Sequence, residues 1–200
     1  MDNIKRLLNA SKDARIKFGK DCDYGYHTHY IDGEELKGQR NTKERLTQFR
    51  EHVNFEDKVV IDFGCCTGAM LLYLDEMKTG YGFDVDPKYI HAADKIKSHL
   101  KKTNVHFKQF NLERNLDKLE VNGDISMCLS LGSWIKNWKQ LYKYCYDNTD
   151  IMILETNNAG EGKKQIEYVN TLYKEVKQVA DSSPDDRTGN NRRHLWLCLK

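Results

Sequence analysis

The feature that most constrains the fold is a hydrophobic segment that runs into a turn bracketed by two glycines. Lys58 to Phe63 (KVVIDF) is β-branched and apolar until Asp62 near its end, a composition typical of a strand covered on both faces. Gly64 and Gly68 follow, and a helical stretch is predicted from Ala69 to Met77. Glycine is favoured where the backbone turns sharply or touches a ligand, because a Cβ would clash there. The segment therefore predicts a strand, a ligand-binding turn and a helix.

A regular alternation of strands and helices follows this turn. Further strands are predicted at Tyr81–Val85, Val105–Phe110, Ile125–Leu131 and Ile151–Glu155. Helices are predicted at Pro87–Lys102, Trp138–Tyr146 and Lys163–Tyr173, and Glu175–Ala180 with His194–Leu199 forms a closing strand pair. This order predicts a doubly wound α/β fold with a seven-stranded, mostly parallel sheet and a C-terminal antiparallel hairpin. Its ligand is expected beyond the carboxyl ends of the strands, at the switch point.

The first 50 residues are predicted to form a helical and hairpin lid on the substrate side, and residues 51–200 the cofactor-binding core of the same domain. Asp32-Gly33 is a turn dipeptide after the alternating segment Tyr24–Ile31. Thr42 is predicted to cap a helix that reaches Val53. An amphipathic N-terminal helix is predicted from the spacing of Ile4, Leu7, Leu8, Ile16 and Phe18.

Composition excludes several classes of protein. Lys and Arg number 32 against 30 Asp and Glu, a formal net charge of +2, whereas duplex-binding domains are usually more basic. No apolar run is long enough for a membrane span or resembles a signal peptide, so we expect a cytoplasmic protein. The 6 cysteines include no C-x-x-C pair and are expected to be buried thiols rather than disulfides or metal ligands.

A second acidic position follows the glycine turn. Asp84 lies at the end of the next predicted strand, in Gly82-Phe83-Asp84-Val85-Asp86, where a carboxylate can accept both hydroxyls of a ribose. Dinucleotide enzymes share this pair of features, but their G-x-G-x-x-G turn is missing from the sequence.

The stretch V-V-I-D-F-G-C-C-T-G instead resembles motif I (D/E-x-G-x-G-x-G) of the class I S-adenosylmethionine-dependent methyltransferases, with Cys66 replacing the middle glycine. The resemblance extends from about Val59 to Lys200 and implies S-adenosylmethionine as cofactor. It implies that Asp84 binds the ribose and that Val85 packs on the adenine. It further implies that the methionine end lies at Asp62, Gly64, Cys65, Cys66 and Gly68, the adenine amine at Asn111 and Leu112, and the sulfonium at Leu129 and Ser130.

Residues for substrate and chemistry are predicted around the same strand ends. Arg40, in the basic stretch from Gly38 to Arg45, is a candidate to bind the cofactor carboxylate or a substrate anion. Glu155 and His27 are candidates for the general base that a hydroxyl acceptor needs. Substrate contacts are expected from Tyr26, His29, Trp134 and His194. No metal site is expected, since Asp124, Asp150 and Glu155 are scattered along the chain.

The sequence constrains the identity of the methyl acceptor less than that of the cofactor. G-E-E-L-K-G-Q-R-x-x-x-x-R-L, L-S-L-G-S-W and I-L-E-T-N loosely resemble O-methyltransferases of sugar hydroxyls and also tRNA wobble-uridine carboxymethyl transferases. The N/D-P-P-Y/F motif of base-directed N-methyltransferases is missing from the fourth strand's end. We therefore expect methyl transfer to a sugar, glycan or other small hydroxyl acceptor. Nucleic acid is a less favoured partner, an inactive binding protein of the same fold is a further alternative, and the oligomeric state is left open.

Overall fold

The fold is built on a seven-stranded β-sheet. The computed structural model describes residues 1–12, 22–157, 159–187 and 193–200. A small antiparallel hairpin, β1 (His29–Ile31) and β2 (Glu34–Leu36), precedes the sheet. The sheet strands are β3 (Val59–Phe63), β4 (Thr79–Asp84), β5 (Val105–Gln109), β6 (Ile125–Leu129), β7 (Ile151–Glu155), β8 (Glu175–Ala180) and β9 (Leu195–Leu199). Their order is β5-β4-β3-β6-β7-β9-β8. Strands β3 to β7 are parallel, and β9 is antiparallel to both β7 and β8. The predicted fold is confirmed.

The helices connect these strands. They are α1 (Asp2–Ala10), α2 (Thr42–Arg50), α3 (Ala69–Leu72), α4 (Pro87–His99), α5 (Leu112–Asn115), α6 (Trp138–Asn148) and α7 (Ala159–Val169). Helix α4 begins at Pro87, where proline is tolerated, and the side chain of Asp86 accepts from the amide of Lys88. Helix α3 is shorter than predicted and ends before Tyr73, whose hydroxyl accepts from the amide of Tyr30 in β1 at 2.8 Å.

The cap of α2 differs from the prediction. Asn41, not Thr42, is the N-cap residue, and its side chain accepts from the amide of Glu44. The Thr42 hydroxyl instead donates to the carbonyl of Thr28 at 2.7 Å. Thr42 thus joins the helix start to the segment before β1, a long-range contact that local sequence does not reveal.

The core lies on both faces of the sheet, as the alternation along β3 requires. Val60 packs on one side with Leu46 and Phe49 of α2, whereas Ile61 packs on the other with Leu141 of α6. All 6 cysteines are free and buried.

The N-terminal elements pack against helices α3 and α4. The β1–β2 turn places Asp32 and Gly33 at positive φ, 51° and 80°, as the dipeptide predicts. Buried Ile4 and Leu8 of α1 join the hairpin and Ile96 of α4 in one cluster. The predicted helical positions Ile16 and Phe18 lie outside the described residues. Within the described ranges, no helix has the length and apolarity to cross a membrane.

Candidate active site

The glycine turn after β3 is held against the end of β4. The amides of Gly64 and Cys65 both donate to the carbonyl of Phe83, at 2.8 and 3.0 Å. The amide of Cys66 donates to Oδ2 of Asp84 at 2.9 Å. Gly64, Cys66 and Gly68 have φ angles of 77°, 50° and 76°. Cys66, which replaces the middle glycine of motif I, therefore lies in the left-handed region that favours glycine.

The end of β4 presents a carboxylate beside an exposed apolar side chain. Asp84 is buried, and its Oδ1 accepts from the amide of Asp86 at 3.0 Å. Burial raises its pKa, while the two amides oppose that rise. Val85 is 56% exposed, which is unusual for a large aliphatic side chain in this molecule.

Asp62 lies behind the glycine turn as a buried carboxyl group. Its side-chain carboxyl group accepts no hydrogen bond from another described residue. Burial raises its pKa to about 7, a nearby Arg45 opposes the rise, and Asp84 adds to it. A carboxyl group of this kind is poised to receive a cation.

Arg40 is fully engaged by carboxylates, which corrects its predicted role. Its Nε and Nη2 donate to Asp185 at 2.6 and 2.9 Å, and Nη1 and Nη2 donate to Glu155 at 3.3 and 2.9 Å. A second carboxylate, Asp186, lies 3.8 Å from Nη1. Because the guanidinium is wholly buried and donates four hydrogen bonds to these carboxylates, its predicted contact with a cofactor or substrate anion is not supported.

Arg45, five residues later, is the arginine with donor capacity to spare. Its Nη2 donates to Glu155 at 2.6 Å, but its buried Nε has no hydrogen-bond partner among the described residues. Its charge lowers the pKa of both Asp62 and His27, so the guanidinium lies between the glycine turn and the N-terminal segment. Sequence analysis included it only as the end of a basic stretch. Its position on the first turns of α2, facing inward with Leu46 and Phe49, was the available signal.

Glu155 is the centre of a buried ion-pair cluster rather than an available base. Besides Arg40 and Arg45, Arg193 lies 3.6 Å from its Oε1, and the hydroxyl of Ser130 donates to the same oxygen. Although burial raises its pKa, the three arginines outweigh that effect and hold the pKa at about 2. Because both of its oxygens already accept from arginine and serine donors, this carboxylate has no position left for a substrate proton, which does not support the predicted role of Glu155 as base.

The two histidines of the N-terminal segment have different surroundings. His29 is fully buried, and its Nε2 makes a 2.8 Å hydrogen bond with Oγ1 of Thr67 in the glycine turn. Burial lowers its pKa to about 3, so the imidazole is neutral and its hydrogen bond supports that turn; its contact with substrate stays a prediction. His27 is also buried with a lowered pKa, owing to burial and then Arg45, but its Nδ1 has no partner.

The remaining cofactor candidates lie after β5 and β6. The Oδ1 atom of Asn111 accepts from the amides of Glu113 and Arg114 at 3.0 and 3.1 Å as the cap of α5. Both of its lone pairs are used, so the predicted contact of this oxygen with the adenine amine is not supported. Leu112 is buried and Leu129 is half-buried at the same edge.

The predicted substrate residues lie in two places. The Tyr26 hydroxyl accepts from Nη1 of Arg193 at 2.8 Å, and half-buried His194 follows, its carbonyl accepting from the amide of Thr156 at 3.0 Å. Trp134 is 56% exposed and lines a separate cavity of about 550 Å³ after β6. Asp124 and Asp150 immediately precede β6 and β7, at the opposite end of these strands from Glu155.

A family model described as a methyltransferase domain matches residues 54–183. The chain belongs to this methyltransferase family. The class I assignment is confirmed, and S-adenosylmethionine is the methyl donor of this methyltransferase. No curated protein matches it in sequence.

Solved methyltransferase structures share its fold. The N-terminal domain of EvdMO1, crystallised in the presence of SAH and D-fucose, matches with a TM-score of 0.67 at 12% identity, covering 99% of this chain and 96% of that domain. The bifunctional kinase-methyltransferase WbdD matches with a TM-score of 0.68 at 19% identity, covering 82% of this chain and 40% of that one. A proposed RNA methyltransferase from Pyrococcus horikoshii matches with a TM-score of 0.59 at 14% identity, covering 80% and 82%. This chain spans less than half of the longer EvdMO1 and WbdD chains, at 47% and 40%.

The residues of this methyltransferase fit the cofactor. Exposed Val85 next to the Asp84 carboxylate suits the apolar face of an adenine joined to a ribose. The methionine end carries both a cationic amino group and a carboxylate. Asp62 and the unpartnered Nε of Arg45 offer groups of the complementary charge behind the glycine turn.

Proposed function

We propose that this methyltransferase moves a methyl group from S-adenosylmethionine to a hydroxyl group of a sugar. The observation that carries the proposal is the match to the EvdMO1 domain crystallised with SAH and D-fucose. That match covers 99% of this chain, so it includes the N-terminal segment in front of the sheet as well as the cofactor half. Because this chain and the EvdMO1 domain share their fold on the substrate side as well, a related class of acceptor is favoured.

The chemistry is an in-line displacement at the methyl carbon. The acceptor oxygen forms a bond to that carbon while the carbon–sulfur bond breaks, and the sulfonium becomes the neutral thioether of S-adenosylhomocysteine. The hydroxyl proton passes to a base, and alignment of the two reactants supplies much of the acceleration. The protein's part is to hold the donor, align the acceptor and accept the proton.

His27 is the base in this proposal. Its Nδ1 has no hydrogen-bond partner among the described residues, so this nitrogen is open to a substrate proton. A positioned base of this kind contributes about 10²–10⁴-fold. Glu155 acts indirectly in this scheme, because it fixes Arg45 beside the glycine turn. Proton transfer to a histidine needs no metal, so activity is expected to persist in EDTA.

RNA methylation is the second candidate function. The Pyrococcus horikoshii structure supports it with a TM-score of 0.59 over 80% of this chain, together with the looser resemblance to tRNA-modifying enzymes. The near-neutral charge, +2 in total, favours the sugar acceptor over a polyanion.

The proposal is tested by methyl transfer to matched acceptors. The full chain with labelled S-adenosylmethionine is offered D-fucose, nucleotide sugars, oligosaccharides and RNA, and products are identified by mass spectrometry. We expect a singly methylated sugar. Methylated RNA without any sugar product would contradict the acceptor, and no product despite SAH binding would favour the inactive binding protein.

The role of His27 is tested separately. His27→Ala is expected to reduce turnover by roughly 10²-fold or more with little change in SAH affinity measured by titration calorimetry. His52→Ala provides the control, because His52 is exposed beyond the end of α2. Equal turnover of the two variants would rule out His27 as the base.

A further inference from the structure

The glycine turn is anchored through its backbone amides at every residue but one. Gly64, Cys65 and Cys66 donate from their amides to groups at the end of β4. Gly68 donates to the carbonyl of Cys65 at 2.8 Å. Thr67 is the exception, because its amide donates to no oxygen of a described residue and lies beside the sulfur of Cys66, a weak acceptor. The side chain of Thr67 is therefore the group that can fix this residue.

The side chain of Thr67 is bound by the N-terminal segment. Its Oγ1 lies 2.8 Å from Nε2 of His29, and the two residues are only 2% and 0% exposed. Because burial lowers the pKa of His29 to about 3, the ring is neutral at physiological pH, and one of the two groups donates to the other in either tautomer. A hydrogen bond buried in this way is stronger than one that water surrounds.

Strand β1, which carries His29, is itself fixed to the helix that follows the turn. The amide of Tyr30 donates to the hydroxyl of Tyr73 at 2.8 Å, and that hydroxyl lies 3.4 Å from Nδ1 of His29. The rings of His29 and Tyr73 are also in contact, with centroids 5.9 Å apart. Tyr73 directly follows α3, and Thr67 directly precedes its N-cap, Gly68. Strand β1 therefore contacts the chain at both ends of this short helix, and both nitrogens of His29 face these contacts.

We propose that His29 is a positioning residue for the methyl donor: it orients Thr67, and through Thr67 the glycine turn, for the methionine end of S-adenosylmethionine. A turn that is held in its binding conformation before the cofactor arrives loses less conformational freedom on binding, which strengthens the complex. In this scheme the N-terminal segment helps to bind the cofactor through β1. The inference concerns the donor alone and does not depend on the class of acceptor.

The test removes the hydroxyl of Thr67 without changing the shape of its side chain. Thr67→Val is expected to weaken SAH binding about fivefold or more, whereas Thr67→Ser keeps the hydrogen bond and should bind SAH within about twofold of the wild type. Titration calorimetry of the full chain measures both affinities. Binding of 5′-methylthioadenosine, which lacks the amino and carboxylate groups of the methionine end, should be the same in Thr67→Val as in the wild type. Equal losses for the two ligands, or no loss for SAH, would overturn the inference.

Thr42→Val is the matched control. Thr42 is fully buried, and its hydroxyl donates to the carbonyl of Thr28, the residue before His29, at 2.7 Å. The same substitution thus removes a buried hydrogen bond to the same segment but leaves the bond to the glycine turn in place. Both valine variants are expected to lower the midpoint of urea denaturation, and only Thr67→Val to weaken SAH binding. Equal SAH affinities of the two variants would show that the bond between His29 and Thr67 supports the fold alone.

Variants of His29 test the other side of the same hydrogen bond. His29→Leu is expected to weaken SAH binding as much as Thr67→Val does, and His29→Gln, whose amide can still bond to the Thr67 hydroxyl, to retain most of the affinity. The double variant should lose no more than either single variant, since both changes remove one and the same interaction. Losses that multiply in the double variant would overturn the role of His29. If His29→Leu does not fold, the comparison of Thr67→Val with Thr42→Val still decides the inference.

Discussion

The carboxyl group of Asp62 is half-ionised near neutral pH, because burial raises its pKa to about 7. Its ionised form attracts the amino group of the cofactor, so binding is expected to strengthen as the pH rises through that value. Between pH 6 and 8 the affinity for SAH should increase roughly tenfold, the change that one pKa unit of coupling allows. Titration calorimetry at several pH values measures it.

Two variants test this interpretation of Asp62. Asp62→Asn is expected to bind SAH with little dependence on pH. Asp86→Asn should keep the wild-type dependence, since asparagine also caps helices such as α4. A wild-type affinity that stays constant from pH 6 to 8 would exclude the contact with the amino group.

Cys66 occupies a backbone conformation that its own side chain disfavours. At a φ of 50°, a residue with a Cβ costs roughly 1–2 kcal/mol relative to glycine. Cys66→Gly is therefore expected to have a free energy of unfolding about 1 kcal/mol higher than that of Cys66→Ala. Urea denaturation followed by circular dichroism measures both.

The adjacent residue supplies the control. Cys65 is buried with φ outside the left-handed region, so there the alanine variant should be the more stable of the pair. The same order of stability at both positions would show that the backbone of Cys66 is not strained.

At the scale of elements, helix α2 carries one buried arginine, Arg45, and one exposed arginine, Arg50. We propose that Arg45 binds the carboxylate of the methionine end through the Nε that lacks a partner. Arg45→Met is then expected to weaken SAH binding roughly tenfold or more, because hydrogen bonds to charged groups contribute about 1.5–3 kcal/mol. Binding of 5′-methylthioadenosine, which has no carboxylate, should be unchanged.

The exposed arginine of the same helix provides the control variant. Arg50 pairs with Glu76 at 2.6 Å on the exposed side, and Arg50→Met should bind both ligands like the wild type. If Arg45→Met weakens SAH and methylthioadenosine equally, the arginine supports the fold of the site rather than the carboxylate.

The elements of the sheet were predictable because their signals are local. Ile151–Glu155 is apolar up to the buried carboxylate at its end and was predicted to the residue, and Pro87 marked the start of α4. The partners of Arg40 were not predictable, since Asp185 follows it by 145 residues. The role of His29 likewise depends on Thr67, 38 residues away. Motif I indicated the cofactor, whereas the choice between Arg40 and Arg45 required the three-dimensional contacts.

At the scale of the whole molecule, Glu155 joins the N-terminal segment, the sheet and the chain after β8. Removing its charge leaves three buried or half-buried arginines without their common partner. Glu155→Gln is therefore expected to lose about 3–5 kcal/mol of unfolding free energy at pH 7, the usual effect of breaking a buried pair. Glu76→Gln, which breaks an exposed pair with Arg50, should lose less than about 1 kcal/mol.

The pH dependence of stability provides a second test of the ion pairs formed by Glu155. Its folded-state pKa of about 2 lies below the ordinary 4.5, so its stabilising contribution is complete above pH 4.5 and is lost as the pH falls toward 2. Urea denaturation of the wild type and of Glu155→Gln should therefore converge in this acid range. A constant difference in stability down to pH 2 would contradict the ion-pair assignment.

The contact between Arg40 and Asp185 also affects the order in which the chain folds during synthesis. Ribosomes produce Arg40 145 residues before Asp185, an interval of roughly 7–30 s at about 5–20 residues per second. Until then the guanidinium that ends up fully buried must remain hydrated, and the segment around it cannot take its final place. The segment around Arg40 therefore completes its folding last, after strands β3 to β8 have already emerged.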